Sequence, residues 1–293
     1  MRNTYLEETM RTEKEMLDII VTFAKEHEAI KVVGMEGSRV HPEIKKDALQ
    51  DYDITYVVSD VQPFVQEEEW LNRFGSRIFM QKPEDMTLFE QQFGNWYSFL
   101  MLFEDGIRLD LKIIPEHELD LYLLSESLIK VLYDKHDLVA DFPVPSNHSY
   151  LVNLPTPRHF DDCCNEFWWI STYVAKGLCR KEFLYATDYL NQTLRTELYR
   201  MISWVVGIET DFSKSVGKSQ RFLEQRVSKE LWDRIIKTYE MGSYEDLWQA
   251  LFSVQELFRE VSKEVADKLD FDYPDYDENI TKYINGLHQE YSA

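Results

Sequence analysis

The chain has 293 residues, enough for two domains rather than one comfortable core. Its 44% apolar and 14% aromatic residues exclude a disordered or fibrous chain. Its 32 basic and 53 acidic residues give a net charge of −21, the wrong sign for a sequence-independent nucleic-acid binder or for adhesion to an anionic membrane.

From the start, residues 1–8 lack the apolar core of a signal peptide. Residues 7–26 predict an amphipathic helix, with Met10, Met16, Ile19, Ile20 and Phe23 at helical spacing. A strand signal over residues 30–33 ends at Gly34, and the small turn Gly37-Ser38-Arg39 follows. A second strand signal covers residues 53–58, a helical pattern residues 62–73, and a further strand residues 77–80. Residues 96–114 read as a hairpin, with Glu104-Asp105-Gly106 as its turn. In its second arm Ile107, Leu109, Leu111 and Ile113 share one face, and Arg108, Asp110 and Lys112 the other. The longest apolar stretch, near Trp96 to Phe103, is too short to span a bilayer.

Four prolines over residues 142–157 mark a linker. Beyond it, long helical patterns run through Phe167, Trp168, Tyr189, Leu194, Leu198, Ile202, Leu247 and Phe252 without a proline until Pro274. An α+β domain over residues 1–145 and a helical domain over 146–293 are expected. Charge follows this division: 15 basic against 29 acidic residues over 1–150, but 13 against 14 over 151–250. Cys163, Cys164 and Cys179 have neither a disulfide nor a zinc spacing, and read as small buried residues in a reducing compartment. A cytoplasmic protein is expected.

Asp51-Tyr52-Asp53 opens a strand, so its two carboxylates point to one face. Side by side they repel, and are either solvated or ligands of a cation. The same tripeptide at Asp275-Tyr276-Asp277 reads as part of a solvated acidic tail. The first copy follows a Gly-Ser turn whose backbone N–H groups, hydroxyl and Arg39 suit a phosphate. Asp110 adds a third carboxylate on a later strand; on its own it reads equally as a charge ladder with Arg108 and Lys112.

In this order, Gly37-Ser38, Asp51-x-Asp53 and Asp110 resemble the nucleotidyltransferase superfamily that includes polymerase-β-like enzymes. More narrowly, Gly37-Ser38-Arg39, Gln50-Asp51-Tyr52-Asp53-Ile54 and Arg108-Leu109-Asp110-Leu111 resemble the aminoglycoside 6-adenylyltransferases, or streptomycin adenylyltransferases. So do Phe167-Trp168-Trp169 and Tyr173-Val174-Ala175-Lys176-Gly177. The resemblance implies a mixed twisted sheet with helices, followed by a helical domain. It implies Mg²⁺-dependent transfer of AMP from ATP to an aminoglycoside hydroxyl, the 6-hydroxyl of streptomycin, with release of pyrophosphate. Asp51 and Asp53 would hold Mg²⁺, and Asp110 would be the general base or a third metal ligand. Gly37, Ser38, Arg39 and Lys176 would bind the nucleotide, with Arg180 a weaker phosphate contact. Carboxylates and aromatic faces are natural receptors for guanidinium groups, so Asp162, Glu166 and Trp169, with Asp161 and Asp188 nearby, are expected at the substrate. No nucleic-acid or membrane partner is expected, and the protein would be a monomer or a weak homodimer. The same fold acting on another acceptor is the alternative, and a non-catalytic nucleotide-binding relative is a second.

Overall fold

The computed structural model describes residues 10–88 and 94–291. It divides into two compact units at the junction of Ser149 and Tyr150.

The first unit is a six-stranded mixed sheet. Its strands are β1 (Ile30–Glu36), β2 (Tyr52–Val58), β3 (Arg77–Gln81), β4 (Tyr97–Phe103), β5 (Arg108–Pro115) and β6 (Ile129–Asp134), in the order β3-β4-β5-β2-β1-β6. Only β2 and β5 pair in parallel; every other pair is antiparallel.

One face of the sheet is fully apolar. Tyr52, Ile54, Tyr56 and Val58 of β2, Leu109, Leu111 and Ile113 of β5, and Phe99, Met101 and Phe103 of β4 bury against Met16 and Ile20 of helix α1 (Glu13–Glu26). The predicted helix begins later than residue 7. Residues 7–9 lie outside the described residues, and Thr12 closes a capping box with Glu15 that fixes the start at Glu13. The helical pattern over 62–73 also breaks. A single turn, Gln62–Gln66, ends at extended Glu67, and a 3₁₀ segment, Glu69–Phe74, follows. The Trp70 indole N–H donates to the Phe64 carbonyl, which a continuous helix would have satisfied itself.

Among the described residues of the first unit, helix α2 (Leu119–Ser125) covers one end of the opposite face. There it packs Leu119 and Tyr122 over Val32, Val57, Ile114 and Ile129. The Tyr122 hydroxyl lies 1.9 Å from where a Cβ on Gly34 would stand, so β1 needs glycine there. The other end carries Glu36, Asp53, Asp110 and Lys112.

The second unit is helical. Its main helices are α3 (Pro157–Cys179), α4 (Phe183–Tyr189), α5 (Arg195–Glu209), α6 (Lys229–Lys237), α7 (Tyr244–Leu269) and α8 (Tyr276–Tyr291), with a π turn over Leu190–Leu194 between α4 and α5. Phe167 of α3 stacks on Phe258 of α7 at 3.7 Å between ring centres, at the heart of its core. Cys163 and Cys164 are buried, and Cys179 is half-buried. Among the described residues, no helix is long and apolar enough to cross a membrane.

The second Asp-Tyr-Asp departs from the expected solvated tail. Tyr276 opens α8, and Asp277 is buried. Its carboxylate accepts from Arg259 Nε and Nη2, both at 2.7 Å, and from Tyr273 and Thr281. Burial works against its charge, but these hydrogen bonds outweigh it and hold the carboxyl below its ordinary value.

Candidate active site

The register of the sheet assembles the acids. Asp53 pairs with Glu36 of β1 on one side and with Asp110 of β5 on the other. Asp51 stands just ahead of the β2 ladder. Because β2 and β5 are parallel, both strands bring their acids to the same end of the sheet. A cleft of about 230 Å³ is lined there by Glu36, Asp53, Glu84, Ser98, Asp110 and Lys112.

Asp53 is the most perturbed of the acids. Burial, then the charges of Asp110, Glu36 and Asp51, push its carboxyl up to about 6, with Lys112 opposing. Asp51 is raised mainly by burial, against the pull of Arg108. Lys112 is committed elsewhere: its ammonium pairs with Glu36 at 3.1 Å and lies over the Trp96 ring. Glu36 also accepts a short hydrogen bond from Thr55.

Gly37 has φ +72°, and a Cβ there would stand 2.3 Å from Asp53 Oδ2. Glycine is therefore required twice over, for its backbone and for the carboxylate beside it. Ser38 is half-buried beside it in a 3₁₀ turn, Gly37–Arg39. Arg39 is turned into the fold. It is 8% exposed, donates to the carbonyls of Asp51 (3.0 Å) and Gln50 (2.7 Å), and stacks 3.6 Å over the Tyr52 ring. Its fork fixes the backbone that presents Asp51.

Arg108, in the sequence a member of a charge ladder and of the Arg108-Leu109-Asp110-Leu111 stretch, stands among the acids. It donates Nε and Nη2 to the two oxygens of Asp110, at 2.8 and 2.7 Å, while Nη1 lies 3.6 Å from Asp51 Oδ2. Among the described residues, no group of three or more acidic, histidine or cysteine side chains converges to hold a metal ion.

Most of the residues expected in the helical unit fall on one stripe along α3 and its C-cap. Asp162, Glu166, Trp169, Tyr173, Lys176 and Arg180 follow at alternating steps of four and three. Asp162 and Glu166 line a cleft of about 810 Å³ with His159, Glu197, Arg200 and Trp204. Glu197, buried and paired with Arg200 at 2.8 Å, is an acid that the sequence reading did not single out. Trp169, 57% exposed, lies outside this lining, and its indole donates to the Tyr173 hydroxyl. Lys176 is half-buried and makes no ion pair among the described residues. Asp188 is exposed on α4, and Asp161 accepts a long contact from Tyr276.

A family model for streptomycin adenylyltransferase matches residues 10–287. The chain belongs to the streptomycin adenylyltransferase family. It is 46% identical to an aminoglycoside 6-adenylyltransferase of Bacillus subtilis, over 95% of this chain and 99% of that protein. It is 47% identical to an aminoglycoside 6-adenylyltransferase of Campylobacter jejuni, over 94% and 95%. A solved aminoglycoside 6-adenyltransferase structure from Bacillus subtilis matches 95% of this chain and 99% of its own, at 44% identity and a TM-score of 0.48. As a member of this family the chain is a nucleotidyltransferase, with the expected α+β nucleotidyltransferase unit followed by a helical one.

Proposed function

We propose that this chain transfers AMP from ATP to a hydroxyl of an aminoglycoside, the 6-hydroxyl of streptomycin, and releases pyrophosphate. The observation that carries the reading is the register that sets Asp53 beside Asp110, with Asp51 adjacent, at the end of the sheet that α2 does not cover. Carboxylate oxygens are the donor set that a hard divalent cation takes. The absent side chain at Gly37 leaves the Asp53 carboxylate room, and the mutual repulsion of these acids favours a cation among them.

In this reading Asp51 and Asp53 hold Mg²⁺, which when bound polarises the α-phosphoryl group and balances charge on the departing pyrophosphate. Asp110 orients the acceptor hydroxyl and takes its proton, or serves as a third ligand. The Gly37-Ser38 turn offers backbone and hydroxyl donors to phosphate oxygens. Arg39 is a positioning residue, acting through the Gln50 and Asp51 carbonyls. Lys176 is the helical unit's cation for the nucleotide phosphates. Asp162 and Glu166 receive cationic groups of the acceptor, with Trp169 as an aromatic face on the same stripe.

The test incubates the protein with ATP and, in turn, streptomycin, kanamycin, lincomycin and tRNA, with and without Mg²⁺. Streptomycin should gain the mass of one adenylyl group, AMP less one water, as pyrophosphate appears, and chelation should stop both. Labelled tRNA with unmodified streptomycin would overturn the assignment of the acceptor.

A further inference from the structure

Arg108 poses a question that the proposed chemistry leaves open. Asp51 and Asp53 are to hold a dication, with Asp110 beside them as base or third ligand, yet a guanidinium already sits on two of these three acids. Its pairing with Asp110 is side-on, with both nitrogen–oxygen distances below 3 Å, so both carboxylate oxygens are engaged. Its third nitrogen faces Asp51. A divalent ion of this kind takes carboxylate oxygens at about 2.1 Å. An ion bound so closely to the same acids would lie within a few ångströms of the guanidinium, and two cations at that range oppose each other.

The surroundings of Arg108 give it somewhere to go. It begins β5, directly after the turn at Gly106, and its side chain is 46% exposed. Its cross-strand neighbour on β4, Leu102, is partly exposed as well. Lys112, two residues along the same face, has no such freedom, being held by Glu36 and the Trp96 ring.

We infer that Arg108 is a resident counter-ion of the carboxylate site, which neutralises Asp110 and Asp51 in the ligand-free protein and swings away from Asp110 when a divalent metal enters. This rests on the metal role proposed above for the three acids. It makes Arg108 a positioning residue that sets how tightly the empty enzyme holds metal. The enzyme then takes up its cation by exchange at Asp110 and Asp51, which keep a counter-ion until the metal arrives.

The test titrates Mn²⁺ into the full-length protein without nucleotide, reading free Mn²⁺ by its paramagnetic resonance signal. Arg108→Gln, Arg108→Lys and Asp53→Asn are compared with the parent. Arg108→Gln should bind Mn²⁺ about tenfold more tightly, and Mn²⁺ should raise its melting temperature more than it raises the parent's. Arg108→Lys, which keeps the charge without the fork, should fall between the two. An Arg108→Gln protein that folds, by circular dichroism, and binds Mn²⁺ no more tightly than the parent overturns the inference. Loss of folding in both Arg108 variants overturns it too, since the side chain would then be structural. If Asp53→Asn abolishes binding while Arg108→Gln leaves it unchanged, only this inference falls. If the parent binds no Mn²⁺, or Asp53→Asn binds it equally well, the metal role of the acids falls as well.

Discussion

Replacing Asp53 with Asn should make the metal-free protein more stable while removing its activity. The sign follows from linkage. The Asp53 carboxyl ionises at about 6 in the folded protein, against 3.8 for an unperturbed aspartate. Its folded pKa is raised, so between those values the folded state holds more proton than the unfolded state, and stability falls as pH rises. At one pH unit per 1.36 kcal/mol, ionised Asp53 costs roughly 3 kcal/mol above pH 6, an upper bound because the carboxylate is partly reached by solvent. An asparagine amide carries no charge and can donate to the neighbouring acids. The gain should therefore be ~1–3 kcal/mol, or about 2–10 °C in the melting of a unit of this size. The assay is denaturation of both proteins in chelator from pH 4 to pH 8, followed by tyrosine and tryptophan signals of the first unit. The difference should be near zero at pH 4, open as pH rises through 6, and level off above it. Equal stability at pH 8, or an Asn variant weaker than the parent there, would refute the electrostatic account of this site.

The other expectations are narrower. Gly37→Ala should destabilise the first unit by ~1–3 kcal/mol and lower adenylyl transfer at least a hundredfold, because alanine meets both a left-handed backbone and the Asp53 carboxylate; chemical denaturation and a pyrophosphate assay read the two effects. Asp162→Asn and Glu166→Gln should each raise the KM for the aminoglycoside about tenfold and leave the KM for ATP unchanged, since each removes a charge from the cleft proposed to receive the acceptor. Asp277→Asn should cost the helical unit about 3 kcal/mol by leaving Arg259 unpaired, whereas Asp275→Asn should be neutral; the melting of the two variants separates these cases.

Local pattern carried much of the fold. The β4–β5 hairpin, the three short strands before it and the helical second half all follow from periodicity and turn residues. What escaped is non-local or weakly patterned. Helix α2 and strand β6 were not recognised; β6 pairs only at the sheet edge, and four of its six residues are half-buried, so its alternation is faint. The parallel pairing of β2 with β5 joins segments some fifty residues apart, and no local signal encodes it. The site shows the same limit. Gly37, Asp51, Asp53 and Asp110 were legible as a set of residue types in order. Arg39 was legible as a guanidinium, but whether a guanidinium meets a phosphate or two backbone carbonyls depends on burial, which a tripeptide does not state. The two Asp-Tyr-Asp copies make the point most directly: identical locally, one stands by the Gly37 turn and the other is buried by an arginine eighteen residues upstream.

The parallel pair within an otherwise antiparallel sheet explains why this cluster can exist. Had β5 run antiparallel to β2, its acid would have met the far end of β2, under α2, and been buried without a counter-charge. Running parallel, it brings Asp110 level with Asp53 at the end that α2 leaves uncovered. Solvent, Arg108 and Lys112 can temper the repulsion there without cancelling it, as the raised Asp53 carboxyl records. The remaining imbalance is a destabilisation of the empty protein, and any ligand that binds only the folded form and relieves it is bound more tightly by the same amount. A site made wholly stable on its own, with each acid paired as Asp277 is, would have no such reserve. On the metal role proposed above, the instability at Asp53 and the affinity for a cation are one property, and the half-exposed Arg108 sets how much of it is relieved before the cation arrives.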